Sequence, residues 1–496
     1  MRRFILALDS GTSSCRALLF NENGSVAAMA QKPLRSVFPQ PGWVEQDADD
    51  IWATTLSVAV EAMSRIGAKP TDIHGIGITN QRETTLLWDK ASGQPVAPAI
   101  VWQCRRTTPI VERLKKEGFS DFLIERTGLV LDPYFSATKI MWQFEQSPSL
   151  FAAAKRGDIL FGTVDAWLIY KLTGGKVHAT DITNASRTQL FNIHTRTWDD
   201  DILQTLDIPR SLLPDVVPSA SIIGKTDPSL FGAALPIASS VGDQQAALIG
   251  HGGVDTGAAK CTFGTGCFLL MNTGSVAVKS QNGLLTTIAY GLKDDVRYAL
   301  EGSVFTAGQA ISWLKDELDF LKDEADSDAV SRSVSDTNGV YVVPAFTGLG
   351  APYWDPCASG TIVGLTAGAN KAHIVRATVE SLAYQAIDVL QAMRGDSGLS
   401  VSSLHVDGGA SKNDHLLQTL ADLHNDTVVR PADIEATAKG AAFLAGIALG
   451  IYTKKTLPVA EKSGTTFRPS LDEKARAERL HGWHKAVRAA RAFGDD

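Results

Sequence analysis

The chain has 496 residues, 44% of them hydrophobic and 20% charged, with a formal net charge of −7. That length exceeds one core and predicts two large domains of roughly 250 residues each, with a site in the cleft between them. The acidic balance excludes a nucleic-acid-binding class, and five scattered cysteines without a Cys-x-x-Cys pair argue against disulfides and a zinc site.

In chain order, the segment after Met1-Arg2-Arg3 meets Asp9 after five apolar residues, too short for a signal-peptide core. Residues 4–30 read as two strands around a turn, with Phe4-Ile-Leu-Ala-Leu-Asp9-Ser-Gly11-Thr12-Ser13-Ser14 carrying the bend. Pro39-Gln-Pro41-Gly42 breaks the pattern before a predicted helix over 49–66 and a strand over 73–79. Apolar strand-like runs at 160–163, 339–343 and 404–406, separated by amphipathic segments, predict an α/β fold. The cluster Ile249-Gly250-His251-Gly252-Gly253 is the expected boundary and hinge, dividing the chain into domains 1–250 and 251–496. Beyond it, Cys261-Thr-Phe-Gly264-Thr265-Gly266-Cys267-Phe268 repeats the plan of the first turn. The longest small-apolar stretch, 441–452, is too short to span a bilayer, so a cytoplasmic protein without membrane insertion is expected.

Two Gly-Thr turns at corresponding places predict two half-molecules clasping one phosphate chain. Glycine lets the backbone approach a ligand, and Thr or Ser supplies hydroxyl and N–H donors. One such turn alone is more often an ordinary β-hairpin, and it is the pair that points to a phosphate site. Asp9 sets a carboxylate where a Mg2+ accompanying a nucleotide is anchored, directly or through water. At the end of the 73–79 strand, Asn80-Gln81-Arg82-Glu83-Thr84-Thr85 lies where open α/β sheets present ligand groups. Arg82 beside Glu83 offers donors and acceptors together, as a small polyol taken out of water requires; the pair also reads as an ion pair on a solvated loop.

Val241-Gly242-Asp243-Gln244-Gln245 opens a predicted helix, and Asp243 is the candidate catalytic base. An aspartate's ordinary pKa of about 3.9 makes it a weak base, but a loose phosphoryl-transfer transition state needs little deprotonation of the nucleophile. A plain helix cap is the other reading of Asp243. Asp132-Pro133-Tyr134 presents a phenol from a rigid turn, while Trp102 and Phe268 offer flat walls to a carbon chain, although isolated aromatics are more often core. Val406-Asp407-Gly408-Gly409-Ala410-Ser411-Lys412-Asn413 reads as a strand, a Gly-Gly turn and a helix suited to a nucleotide. The aromatic, glycine-rich 346–355 segment reads as an ordered loop to which physics alone assigns no role.

As a set, the segments 77–85, 100–107, 127–136, 181–194, 242–245 and 346–356, with the stretches 135–142 and 360–380, resemble the FGGY family of carbohydrate kinases. The resemblance spans nearly the whole chain and is nearest to the members that phosphorylate glycerol. It implies two ribonuclease H-like α/β domains of the actin, hexokinase and heat-shock chaperone ATPase type around a central cleft, the first mainly polyol-binding and the second mainly nucleotide-binding. It further implies ATP and Mg2+, glycerol as phosphoryl acceptor, and a homodimer or homotetramer. Carried over to this chain, Arg82, Glu83, Tyr134, Asp243 and Gln244 would hold glycerol, with Trp102 and Phe268 along its carbons. Asp243 would orient the attacking hydroxyl, with Arg82 and Thr12 catalytic beside it. Thr12, Ser13, Ser14, Arg16 and Thr265 would grip the phosphates. Gly308, Ser312, Gly409 and Asn413 would contact the rest of the nucleotide, and Asp9 and Asp243 would hold Mg2+.

Two departures from the family pattern stand out. Ser312 replaces a frequent Gln, which alters nucleotide contacts on that side. The 224–232 segment lacks both the Gly- and Arg-containing loop by which some members bind fructose 1,6-bisphosphate and the histidine that others have phosphorylated, so neither regulation is expected. Two alternatives remain: a kinase for another polyol or a ketose such as xylulose, and a nucleotide-gated scaffold of the actin or chaperone type. The 80–85 and 102–106 segments oppose the first, and Arg82, Glu83 and Asp243 together oppose the second.

Overall fold

The run Phe4–Ser10 forms strand β1 with all seven residues buried, as a near-continuous apolar strand covered on both faces should be. It turns into β2 (Ser14–Asn21), antiparallel to it with Ser10 opposite Cys15. A further turn leads into β3 (Val26–Pro33), so the two strands expected over 4–30 are three. β3 closes an edge of the sheet and is half-exposed, and its Val-Ala-Ala-Met-Ala-Gln-Lys-Pro carries no clear alternation to betray it. β4 (Ile73–Asn80), β5 (Ala220–Lys225) and β6 (Pro236–Gly242) complete a six-stranded sheet in the order β5-β6-β4-β1-β2-β3. The computed structural model describes residues 3–401, 403–432, 435–458 and 464–494; Met1 and Arg2, where the expected N-terminal run begins, lie outside them.

The second sheet is built from β7 (Ala259–Phe263), β8 (Cys267–Gly274), β9 (Leu285–Gly291), β10 (Val296–Val304), β11 (Ser403–Asp407), β12 (Thr427–Pro431) and β13 (Gly464–Phe467). Their order is β9-β10-β8-β7-β11-β12-β13. Strands β3-β2-β1-β4-β6 and β10-β8-β7-β11-β12 follow one plan, an antiparallel meander of three and then two strands parallel to the first. The likeness of the two Gly-Thr turns is thus the visible trace of a duplicated ribonuclease H-like domain, because each turn joins the first two strands of its copy.

The helices that position the site are α1 (Ala48–Arg65), α2 (Ser136–Gln146), α3 (Asp243–Gly250), α4 (Gly308–Asp316), α5 (Lys371–Ser397), α6 (Asp414–His424) and α7 (Ala436–Ala448). Asp47 caps α1 by accepting from the N–H groups of Asp49 and Asp50 at 2.7 and 3.1 Å, and the helix packs on β2 and β3. Helix α7, apolar nearly all round and buried, lies against β4, β6 and β1 of the first sheet although it comes late in the chain. Residues 251–496 therefore do not keep to the second half of the molecule: the chain crosses back, and a shared core of β1, β6, α3, α7 and β9 residues joins the halves. No helix among the described residues is long and apolar enough to cross a membrane.

Helices α3 and α7 cross at backbone contact through a pair of glycines. A Cβ on Gly440 would fall 1.8 Å from the Ala246 carbonyl oxygen, and one on Gly250 would fall 1.9 Å from that of Ala436. Neither neighbour is a flexible side-chain end, so the helices must separate to admit a methyl group. Gly440→Ala is expected to lower stability by about 3 kcal/mol, read as a fall in the urea midpoint at constant slope; an unchanged midpoint would show that the crossing is not tightly packed.

Candidate active site

The two hairpins face the cleft with their polar tips. In the first, Asp9 is buried and ion-paired to Arg16 across the β1–β2 ladder, and Arg16 Nη1 also reaches Glu435 Oε2 at 2.9 Å. Burial raises the Asp9 pKa, with Arg16 opposing it. Thr12 accepts a hydrogen bond from Trp102 Nε1 at 2.9 Å, Ser13 is exposed at the tip, and Ser14 accepts from Gln31 Nε2 at 2.9 Å. In the second hairpin Thr265 is exposed, and its carbonyl accepts the Ala307 N–H at 2.9 Å while the Gly264 carbonyl accepts that of Gly308 at 2.9 Å. The start of α4 is thereby seated on the hairpin, and a Cβ on Gly308 would lie 2.6 Å from the Gly264 oxygen.

The Gly-Gly turn after β11 joins the same edge. Gly408 (φ +89°) backs onto β7, where a Cβ would lie 2.3 Å from the Phe263 oxygen, whereas one on Gly409 would face open space. Asn413 caps α6 through Oδ1, which accepts the Leu416 N–H at 2.9 Å, and donates from Nδ2 to Ser327 Oγ at 3.0 Å. Ser312, one turn into α4, donates to Glu324 Oε1 at 2.8 Å. Hairpin, α4 start and Gly-Gly turn thus form one continuous edge of the cleft.

The residues at the end of β4 lie beside the first hairpin, with Asn80 in register with Ser10 and Gln81 N–H donating to the Ser10 carbonyl at 2.8 Å. Arg82 and Glu83 are 3% and 1% exposed, which rules out the ion pair on a solvated loop. The Arg82 guanidinium grips Glu301 of β10 in a fork, Nη1 to Oε2 at 2.6 Å and Nη2 to Oε1 at 3.0 Å, and its Nε lies 3.4 Å from Asp243 Oδ1. Tyr134 Oη accepts from Arg82 Nη2 at 3.4 Å. Glu83 sits at φ +60°, a strained value for a residue with a side chain. It is held there by Arg187 Nε on its carboxylate at 2.6 Å, and by Ser136 Oγ and Lys139 Nζ on its carbonyl at 3.0 and 3.4 Å. Lys139 also donates to the carbonyls of Tyr134 and Phe135, so one buried ammonium ties both loops together; burial pushes its pKa down to about 7.

Asp243 is the first residue of α3, but the cap is Gly242, so the plain cap reading fails by one position. Its Oδ1 accepts the Gln244 N–H at 2.7 Å. Burial raises its carboxyl to about 6, opposed by Arg82 and reinforced by Glu83. Trp102 stands edge-on between Tyr134 and Phe268, with ring centroids at 5.6 and 6.2 Å, and all three rings remain partly exposed to the cleft. The arrangement can bind a short polar chain against aromatic walls and place a carboxylate beside it.

Models of the FGGY family of carbohydrate kinases match the chain twice, the N-terminal domain over residues 4–250 and the C-terminal domain over 259–449. The chain belongs to that family. It is 55% identical to glycerol kinase 1 of Clostridium tetani over 98% of both chains, and 55% identical to the glycerol kinase of Lachnoclostridium phytofermentans over the whole of both. The crystal structure of Plasmodium falciparum glycerol kinase with ADP superposes with a TM-score of 0.93 at 33% identity, covering 99% of this chain and 98% of that one. A gluconate kinase from Lactobacillus acidophilus, at 21% identity and TM-score 0.90, shares the fold.

In this FGGY kinase the structure brings Arg82, Glu83, Tyr134, Asp243, Gln244, Trp102 and Phe268 together in one connected cluster. Thr12 touches that cluster through Trp102. Sequence reasoning missed Glu301, Arg187 and Lys260. Lys260 is the one charge of its strand, Ala259-Lys260-Cys261, Glu301 follows the apolar run Tyr298-Ala-Leu in a strand whose other charge is Arg297, and Glu301, Arg187 and Lys260 are all 0% exposed. An isolated charge in a run of core residues is the signal that was available, since such groups are rarely buried unless paired.

Proposed function

We propose that the chain transfers the γ-phosphoryl group of ATP to a terminal hydroxyl of glycerol, giving sn-glycerol 3-phosphate and ADP. The observation that carries this reading is the convergence of Arg82, Glu83, Tyr134 and Asp243 beside the Trp102–Phe268 wall, a set of fixed donors and acceptors against an aromatic surface, as a short polyol requires. Such a site rejects an analogue lacking a hydroxyl because its own buried groups then go unpaired. Asp243 orients the attacking hydroxyl and takes its proton, and a carboxylate held near 6 is a better base than an ordinary aspartate. Thr12, Ser13, Ser14 and Arg16 from the first hairpin and Thr265 from the second hold the phosphates. Gly308, Ser312, Gly409 and Asn413 border the ribose and base.

Among the described residues no group of three or more metal-ligating side chains occurs. The pair Asp9 and Asp243 suits Mg2+, which favours one or two carboxylates together with substrate phosphates and water. When bound, Mg2+ supplies neutralisation of the triphosphate charge.

ADP release with Mg-ATP tests the reading, comparing glycerol with xylulose, ribulose, erythritol and no acceptor. Stimulation by glycerol alone is expected; preference for a longer polyol or ketose, or acceptor-independent hydrolysis, would overturn it. The pH profile adds a second check. Because the base must be ionised, kcat/KM for glycerol should fall about tenfold per pH unit below about 6, and a profile flat to pH 5 would remove Asp243 from that role.

A further inference from the structure

Lys260, the second residue of β7, is fully buried and shares a strand face with Thr262. Its ammonium donates to Gln244 Oε1 on one side and to Thr262 Oγ1, at 2.8 Å, on the other. Both partners are neutral. The three arginines nearby are neutralised, Arg82 and Arg187 by Glu301 and Glu83, and Arg16 by Asp9 and Glu435, and the other buried ammonium, Lys139, is spent on the carbonyls of Glu83, Tyr134 and Phe135. Among the described residues no carboxylate is ion-paired to Lys260, although Asp407 and Asp243 lie near enough to favour its charge, while burial, the larger effect, opposes it. The nearest carboxylate, Asp407, is reached only through Thr262, whose hydroxyl donates to it; an ammonium buried without a directly paired carboxylate is unfavourable, and an incoming anion relieves it.

Its position suits one anion in particular. Gln244 adjoins the base Asp243, and Thr262 lies on the strand that feeds the Gly264–Gly266 hairpin. The group that passes from the phosphate side to the hydroxyl side must cross between them. We infer that Lys260 is a further catalytic residue of this kinase, meeting the γ-phosphoryl group in flight; the inference rests on the glycerol-phosphorylation reading above. The glycerol oxygen forms its bond to the γ-phosphorus and its proton passes to Asp243. The bond from that phosphorus to the β,γ-bridging oxygen breaks, and the electron pair leaves with ADP. Negative charge spreads over the three equatorial oxygens of a metaphosphate-like group, and the compact ammonium of Lys260 offsets it.

The test compares wild type with Lys260→Met, Lys260→Gln and Lys260→Arg. Readouts are kcat, KM for glycerol, thermal midpoint, and binding of ADP–aluminium fluoride with Mg2+ and glycerol, a mimic of the planar transferring group. Lys260→Met and Lys260→Gln should lose about 100-fold in kcat and a similar factor in fluoroaluminate affinity. ADP affinity and KM for glycerol should stay within about threefold, and Lys260→Arg should recover part of the rate. If Met disrupts folding, the Gln variant, which keeps a donor, carries the comparison. A Gln variant with wild-type kcat, or one that loses glycerol affinity while binding fluoroaluminate normally, would overturn the inference and leave Lys260 as a support for Gln244. Wild-type inactivity toward glycerol would instead fault the substrate reading, and the same variants would then be judged with whichever acceptor stimulates turnover.

Discussion

Asp243→Asn should lower kcat by about 10³-fold, within the range set by losing a positioned general base, while leaving the fold and ATP affinity intact. The amide preserves the shape of the carboxylate, so Oδ1 still accepts the Gln244 N–H and still faces Arg82 Nε. What is lost is the ability to take the hydroxyl proton. The stability effect runs opposite to the activity effect. Burial raises the Asp243 pKa from 3.8 to about 6, so the folded state favours the protonated form; that contribution is full below 3.8 and is lost as pH rises through about 6. At pH 7.5 the wild-type protein holds an unfavourably buried carboxylate, and the asparagine variant is expected to melt no lower than wild type. Thermal melts and steady-state kinetics on one preparation check both halves. Turnover at the wild-type level would sink the assignment, and a large fall in melting temperature would show that Asp243 is chiefly structural.

The contrast between Asp243 and Glu301 shows what a sequence discloses. Asp243 was legible because it stands at the end of an apolar strand and the start of a helix, and a carboxylate there has few local duties. The Gly-Thr hairpins were legible for the same kind of reason: turn chemistry is local, and its repetition exposed the duplicated domain. Glu301 acts through Arg82, 219 positions away, and Arg187, 114 positions away, and no local pattern names such partners. The return of α7 to the first sheet was hidden likewise, since its glycine at 440 reads as a poor helix residue until the backbone of Ala246 is seen packed against it. The sequence reading of Arg82 and Glu83 left open a solvated pair; burial decides it, and burial is a property of the assembled sheets.

Glu301→Gln should be the most destabilising single change in the cleft, costing about 3–5 kcal/mol, the range for removing one partner of a buried ion pair. Glu301 is fully buried and accepts from both Arg82 and Arg187, so it bolts a strand of the second sheet to two guanidiniums of the first half. An amide withdraws the charge and turns a donor toward a guanidinium. Arg187 already has one buried donor, Nη1, without a partner among the described residues, so the cluster has no spare acceptor to offer. The pH dependence carries the sign of the effect. Burial opposes ionisation of Glu301, but Arg187 and Arg82 outweigh it and lower its pKa from 4.5 to about 2. A depressed carboxylate contributes stability that is full above 4.5 and lost as pH falls through about 2. Urea midpoints of the wild type should therefore decline more steeply with acid between pH 4.5 and 2 than those of Glu301→Gln, which starts lower and lacks this group's titration. Arg82, freed from its fork, also loses its fixed approach to Asp243 and Tyr134, so KM for glycerol should rise at least tenfold while KM for ATP moves less. Parallel acid profiles for the two proteins would mean that Glu301 is not the bolt, and an unchanged KM would mean that Arg82 is held well enough by Asp243, Tyr134 and Gln245, whose Oε1 accepts from Arg82 Nη1 at 3.1 Å.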